Sequence, residues 1–257
     1  EDEAELMHEI HDACHAQGLP VDTLIKESAP SQYEINLYHT NDAVIAADQA
    51  VMLQRVIRGV AKKHGLIATF MAKPFGDIAG NGMHVHCSLV DKDGNNMFDD
   101  GSAAGTPLLR QAIAGCLDMM ADSMLLFAPN LNSYRRFRRG THAPMAPTWG
   151  YENRTVAVRV PADSPAATRL EHRVAGADAN PYLVMAGILA GMLHGIESKL
   201  EAPAPLEGNA YEQVPANLPR YWPDALQCFE QSEYVANYLG AEFQKVFTIL
   251  KQQEIDT

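Results

Sequence analysis

Residues 73–88, KPFGDIAGNGMHVHCS, restrict the fold more than any other stretch of this chain. Lys73-Pro74 breaks the apolar run before it, because proline removes a backbone donor and pushes its predecessor out of helical geometry. Gly76, Gly80 and Gly82 follow, giving a loop whose backbone can approach a ligand closely. The loop feeds a strictly alternating strand, predicted over 82–90. On it His84, His86 and Ser88 share one face, while Met83, Val85, Cys87 and Leu89 share the other. Two imidazoles beside a glycine loop could hold a metal or bind a substrate's charge, and the residues alone leave both readings open.

Around this stretch the pattern alternates helix and strand. An amphipathic helix is predicted over 3–17, ending at Gly18-Leu19-Pro20. QYEINLY (32–38) reads as a strand with Gln32, Glu34, Asn36 and Tyr38 together. A long helix starts at Asn41 or Asp42 and runs to Gly65, followed by a strand over LIATFMA (66–72). DKDGNN (91–96) reads as a hairpin loop and 106–127 as one helix, with Met119, Met120 and Met124 in the core. Strands are expected at TVAVRV (155–160) and TRLEHRV (168–174), and a helix from Pro181 to about 199. Residues 202–224, rich in Pro, Asn and Glu, read as a surface excursion before a terminal helix over 231–254. Several strands with interspersed helices and little βαβ rhythm predict an α+β fold.

The chain's 257 residues suit one large domain, and a net charge of −12 argues against a nucleic-acid or anionic-membrane surface. Cys14, Cys87, Cys116 and Cys228 form no CxxC, so reduced buried thiols in a cytoplasmic protein are expected. No apolar run reaches membrane-spanning length and no signal peptide is evident. The first residues already read as helix without a starting Met, so a preceding segment is expected.

Two sets of residues carry chemistry. Glu27 and Glu34 flank SAPSQY, and Glu171 lies between Arg169 and Arg173 on one face of TRLEHRV. Such carboxylates usually face solvent or join ordinary ion pairs; with His84 they would make an oxygen-rich donor set for Mg²⁺ or Mn²⁺. The second set is cationic: Arg135, Arg136, Arg138 and Arg139, then Arg154, Arg159, Arg169 and Arg173. Alternation along strands points several of them into one cleft, suited to an acidic substrate and a nucleotide. His8, His11 and His15 read as an exposed helix face.

Set side by side, KESAPSQYEINL, KPFGDIAGNGMHVHCS, NSYRRF, ENRTVAVRVP and RLEHRVAGADANPYL resemble, in family order, five motifs of the glutamine synthetase family. The resemblance covers about residues 20–200. It implies that family's catalytic domain across 1–257, with antiparallel strands and flanking helices. Neither the family's small N-terminal β-grasp domain nor its Glu-x-Glu metal strand has a counterpart here, so the chain is not expected to be active alone. Roles carry over by position: Glu27, Glu34, His84 and Glu171 as ligands of two or three Mg²⁺ or Mn²⁺ ions; Gly80, His86, Arg136 and Arg173 with glutamate. Arg154 and Arg159 would meet phosphate, and Ser88 and Arg169 the nucleotide. ATP would phosphorylate the γ-carboxylate of glutamate, and an amine would displace phosphate. Stacked rings of commonly twelve subunits are implied as well.

One departure bears on the acceptor. The flap glutamate that helps bind and deprotonate ammonium is replaced, by position, with His142, which is a poor ammonium trap but a base for a bulkier amine. His142 is therefore read, with Arg154, as catalytic. Trp149 also differs from the small, polar residues of ammonium users, and Ala166 stands where many members carry Lys near the nucleotide. The combination resembles the branch that forms γ-glutamyl amines, γ-glutamylputrescine among them. An ordinary ammonium-using synthetase and a non-catalytic structural or sensing relative are the alternatives.

Overall fold

The computed structural model describes residues 3–162 and 164–257. Helix α1 (Ala4–Ala16) lays Ile10 and Cys14 on Val56 and Val60 of α2 (Ala43–Lys63), forming a small satellite core. Asp42 starts α2 by accepting the Val44 and Ile45 amides at 2.8 and 3.0 Å, which satisfies two orphan donors of the first turn. Gly65 ends it at φ +70°, where a side chain would be strained. The Glu9 carboxylate reaches Lys63 Nζ at 2.8 Å and His64 Nε2 at 2.7 Å, fastening the C-terminal end of α2 to α1.

Strands β1 (Val21–Lys26) and β2 (Tyr33–Leu37) form an antiparallel hairpin. A second sheet runs in the order β3 (Val85–Cys87), β6 (Leu170–His172), β5 (Val158–Val160), β4 (Trp149–Tyr151). Its pairs are antiparallel except β4 with β5. One sheet face packs Cys87, Val158, Val160 and Leu170 into the main core. Behind it lie α3 (Pro107–Asp118), α4 (Met124–Phe127) and α5 (Pro181–Glu197), with Met119, Met120 and Met124 fully buried. Asn180 caps α5 and Pro181 takes its first position, as its fixed φ favours.

Past α5 the chain forms the single turn α6 (Ala210–Gln213), then α7 (Trp222–Gln231), α8 (Glu233–Val235), a π-helical turn over Ala236–Gly240 and α9 (Ala241–Ile255). The expected terminal helix is thus broken. Ser232 turns its hydroxyl onto the Val235 amide to start a new helix, and Gly240 sits at φ +96°. The helix expected over 106–127 also divides, where Asp122 swings out to accept the Ser232 hydroxyl at 2.6 Å. The excursion expected over 202–224 lies mostly at the surface, anchored by the buried Tyr211, Leu218 and Trp222.

LIATFMA forms no strand. Most of its residues are exposed, Ile67 at 95%, and only Ala72 is buried. The Leu66 amide bonds back to Ala61, and Asn81 occupies the carbonyls of Met71 and Ala72, so no ladder partner is engaged. The 91–96 hairpin forms as expected, with Val90 bridging Asn96 and Gly94 at φ +85°. All four cysteines are free; Cys228 is only half-buried. Among the described residues no helix is long and apolar enough to cross a membrane.

Candidate active site

The polar face of the second sheet gathers the chemistry. Register sets His86 of β3 opposite Glu171 of β6, and Glu171 opposite Arg159 of β5. Strand alternation adds His84 and Ser88 beside His86, and Arg169 and Arg173 beside Glu171. Glu171, 2% exposed, is the hub. Its oxygens meet Arg173 Nη1 at 2.5 Å, Arg159 Nη1 at 2.8 Å, His84 Nδ1 at 3.2 Å and His86 Nε2 at 3.9 Å. Arg169 Nε donates to His86 Nδ1 at 3.0 Å. Arg159 also reaches Glu152 at 3.4 Å.

These contacts fix the protonation states. Burial alone would push the Glu171 carboxyl up, but the His84 hydrogen bond and the adjacent Arg173 charge bring it to about 2. Burial holds His84 below the usual imidazole range, and brings His86 to about 4. Neutral His84 therefore donates Nδ1–H to the carboxylate, leaving the Nε2 lone pair for a ligand.

The glycine loop is braced from three sides. Gln32 donates to the Gly80 carbonyl at 2.9 Å and the Asn81 side chain at 2.8 Å, docking the first hairpin on the loop. Asn132 exchanges hydrogen bonds with the Lys73 backbone, and the Lys73 ammonium reaches the Ile78 carbonyl. Arg138 reaches the Gly76 carbonyl. A Cβ on Gly80 would stand 2.3 Å from the Ala72 carbonyl and 3.1 Å from the Arg136 side chain, so only glycine fits. Ser133 of the 3-10 turn Leu131–Arg136 and Asn130, which caps that turn, both donate to Asp178, at 2.6 and 3.0 Å. Arg136 is buried and donates to the carbonyls of Val174 and Arg173. Burial lowers its guanidinium to about 10, still cationic at neutral pH.

The structure therefore brings together His84, His86, Arg159, Arg169, Glu171 and Arg173, with Gly80 and Arg136 on the adjoining loop. Glu27 and Glu34 lie on the docked hairpin, apart from the hub, where Glu27 accepts the Ser28 amide and Glu34 sits half-buried on β2. Among the described residues no three His, Cys, Asp or Glu side chains converge to hold a metal ion. The donor types suit a divalent cation, yet both Glu171 oxygens are engaged by arginines, so the residues present do not form a closed metal site. Ser88 and Arg154 are exposed beside the sheet face, and His142 is exposed on the 138–148 loop at φ +55°.

Trp149 faces away from this chemistry. It pairs with Val158, on the core side, is 2% exposed, and donates Nε1–H to the Pro203 carbonyl at 2.7 Å. Sequence reasoning missed Gln32, Asn132 and Asp178, which position the loops; Asn132 and Asp178 stood inside the segments NSYRRF and RLEHRVAGADANPYL.

His172, on the opposite face, is 1% exposed against the Phe127 ring at 4.7 Å, with no partner for Nδ1 among the described residues. Burial brings it to about 3, whereas an unfolded histidine titrates near 6.5. As pH falls below about 6.5 the unfolded chain takes up this proton first, so its share of stability, complete above that pH, is lost progressively down to about 3. His172→Leu is expected to flatten the decline of melting temperature between about pH 6.5 and 4. An unchanged slope in calorimetric scans would remove His172 from the account.

Over residues 1–257 the chain matches the family profile described as "Glutamine synthetase, catalytic domain". It is 44% identical over 252 residues to the gamma-glutamylputrescine synthetase PuuA of Escherichia coli K12, covering 98% of this chain and 53% of that protein. It is 36% identical over 251 residues to the gamma-glutamylethanolamide synthetase GlnA4 of Streptomyces coelicolor, covering 98% and 54%. A solved GmaS/ADP complex superposes with a TM-score of 0.89 at 33% identity, over 98% of this chain and 60% of that one. The chain thus spans about half the length of the curated relatives it matches.

Proposed function

Because this chain belongs to the glutamine synthetase family, through its catalytic domain, we propose that it carries much of the active site of an ATP-dependent ligase. That enzyme joins the γ-carboxylate of glutamate to an amine, putrescine or another small amine, through a γ-glutamyl phosphate. The observation that carries this reading is the cationic sheet face, where Arg159 and Arg173 flank one buried glutamate. Arg136, Arg154, Arg159 and Arg173 outnumber Glu152 and Glu171, so the face keeps surplus positive charge for anionic ligands.

In this reading Arg173, Arg136, Gly80 and His86 orient glutamate. Arg154 and Arg159 meet the phosphoryl group and steady the charge spread over its oxygens as it passes from ATP to the carboxylate. Ser88 and Arg169 lie at the nucleotide end. The amine nitrogen then attacks the acyl carbon, phosphate leaves, and His142 accepts the proton the amine sheds. The family generally uses ATP and divalent metal ions. Glu27, Glu34, His84 and Glu171 are our candidate ligands for Mg²⁺ or Mn²⁺ on donor chemistry alone, and no step here is routed through an ion. Assembly into stacked rings, commonly of twelve subunits, belongs to the same proposal.

Purified full-length protein, given glutamate and ATP with either putrescine or ammonium, is expected to release phosphate faster with putrescine. Equal or faster turnover with ammonium would make it an ordinary glutamine synthetase. No nucleotide binding at all would leave a non-catalytic relative.

A further inference from the structure

Residues 203–218 are stitched to the segment that carries His142. The Leu206 amide donates to the Trp149 carbonyl at 2.8 Å, and Trp149 returns its indole N–H to Pro203. Asn153 donates to the carbonyls of Leu206 and Gly208, and the Ala210 amide to the Thr155 hydroxyl. The amides of Asn217 and Leu218 share the Met145 carbonyl at 3.1 and 3.2 Å. At the centre stands Tyr211, 7% exposed, whose hydroxyl donates to the Ala143 carbonyl at 2.8 Å. The Thr141 side chain is the other neighbour of that hydroxyl, and the charges of Arg173 and Arg136 lie within reach of it.

Thr141 and Ala143 are the residues on either side of His142. A non-glycine residue at φ +55° is disfavoured and persists only where its surroundings over-determine it. Here they do so from two directions. Thr141 donates to the carbonyls of Arg136 and Arg138, tying the loop to the arginine segment, while Tyr211 holds Ala143 from the 203–218 side.

We propose that Tyr211 is a positioning residue for the acceptor end of the active site: through Ala143 it holds the 138–148 loop, and with it His142, beside the arginine-lined face. The inference rests on reading His142 as the proton acceptor. Tyr211→Phe in the full-length protein removes the hydroxyl and keeps the packed ring. The kcat/KM for the amine is expected to fall about tenfold, with the Michaelis constants for ATP and glutamate within about twofold and melting little changed. In a His142→Ala background the same substitution should add nothing further. Hydrogen exchange should quicken at residues 140–146 and stay unchanged in β5 and β6. Unaltered exchange in the loop, or Michaelis constants for ATP and glutamate that move as far, would overturn the proposal. Absence of amine ligation in the unsubstituted protein would count against the functional reading, while loop exchange would still decide the positioning role.

Discussion

Glu171→Gln is expected to lower turnover of the full-length protein by about a hundred- to a thousandfold, and to lower its melting temperature as well. The substitution keeps shape and removes one charge from a hub where Arg173 and Arg159 lie at 2.5 and 2.8 Å. Arg173 is 3% exposed, so it loses its carboxylate partner with little water to replace it. Stranding a buried charge in this way costs about 3–5 kcal/mol, which at this chain length lowers the melting temperature by about 6–20 °C. The Arg159–Glu152 pair supplies the control. Glu152 is half-exposed at 3.4 Å from the same guanidinium, so Glu152→Gln should cost about 1 kcal/mol or less. A Glu171 variant that melts within about 2 °C of the parent would show that water, rather than the carboxylate, compensates the arginines. One that melts low yet turns over normally would detach the hub from the chemistry.

What the sequence disclosed follows from whether a residue's surroundings are local. TRLEHRV could be read at once because strand alternation separates Arg169, Glu171 and Arg173 from Leu170, His172 and Val174, and the structure keeps that division. The caps at Asp42 and Gly65 and the first-turn Pro181 are local too. LIATFMA shows the limit of the same reasoning. Its composition fits a strand, but a strand needs a ladder partner, and Asn81 takes the carbonyls of Met71 and Ala72 instead. Trp149 shows the same dependence on partners: only its register with Val158 puts it on the core side. Residues 202–224 were read from Pro, Asn and Glu content as a surface excursion; what that content could not show is that hydrogen bonds from Trp149 to Pro203 and from Tyr211 to Ala143 anchor it to partners tens of residues away. Alternation alone could gather the strand arginines on one face; the hub that Glu171 makes of them needed the sheet register.

Gly115→Ala is the substitution with the largest expected effect on stability alone. Helices α3 and α5 cross so closely that a Cβ at Gly115 would stand 2.0 Å from the Gly191 carbonyl and 2.4 Å from the Gly195 amide. Both obstacles are backbone, so no side chain can swing aside, and the helices themselves must separate. The contact is written along α5 as Gly191 and Gly195, four residues apart on one helical face, while Gly187, one turn earlier, faces Leu126 and Phe127 of α4. Overpacking a core ordinarily costs about 1–3 kcal/mol, and a backbone clash belongs at or above the top of that range. The helix-propensity gain of alanine over glycine, about 1 kcal/mol, offsets only part of it. The expected result is a melting temperature lower by about 5–10 °C. Gly59 separates the two effects, because it lies in α2 with nothing within 4 Å of where a Cβ would stand. Gly59→Ala therefore gains propensity without a clash and should raise stability by about 0.5–1 kcal/mol. Opposite signs for one chemical change are what the packing requires. If Gly115→Ala also stabilises, the α3–α5 crossing must be looser than the glycines make it here.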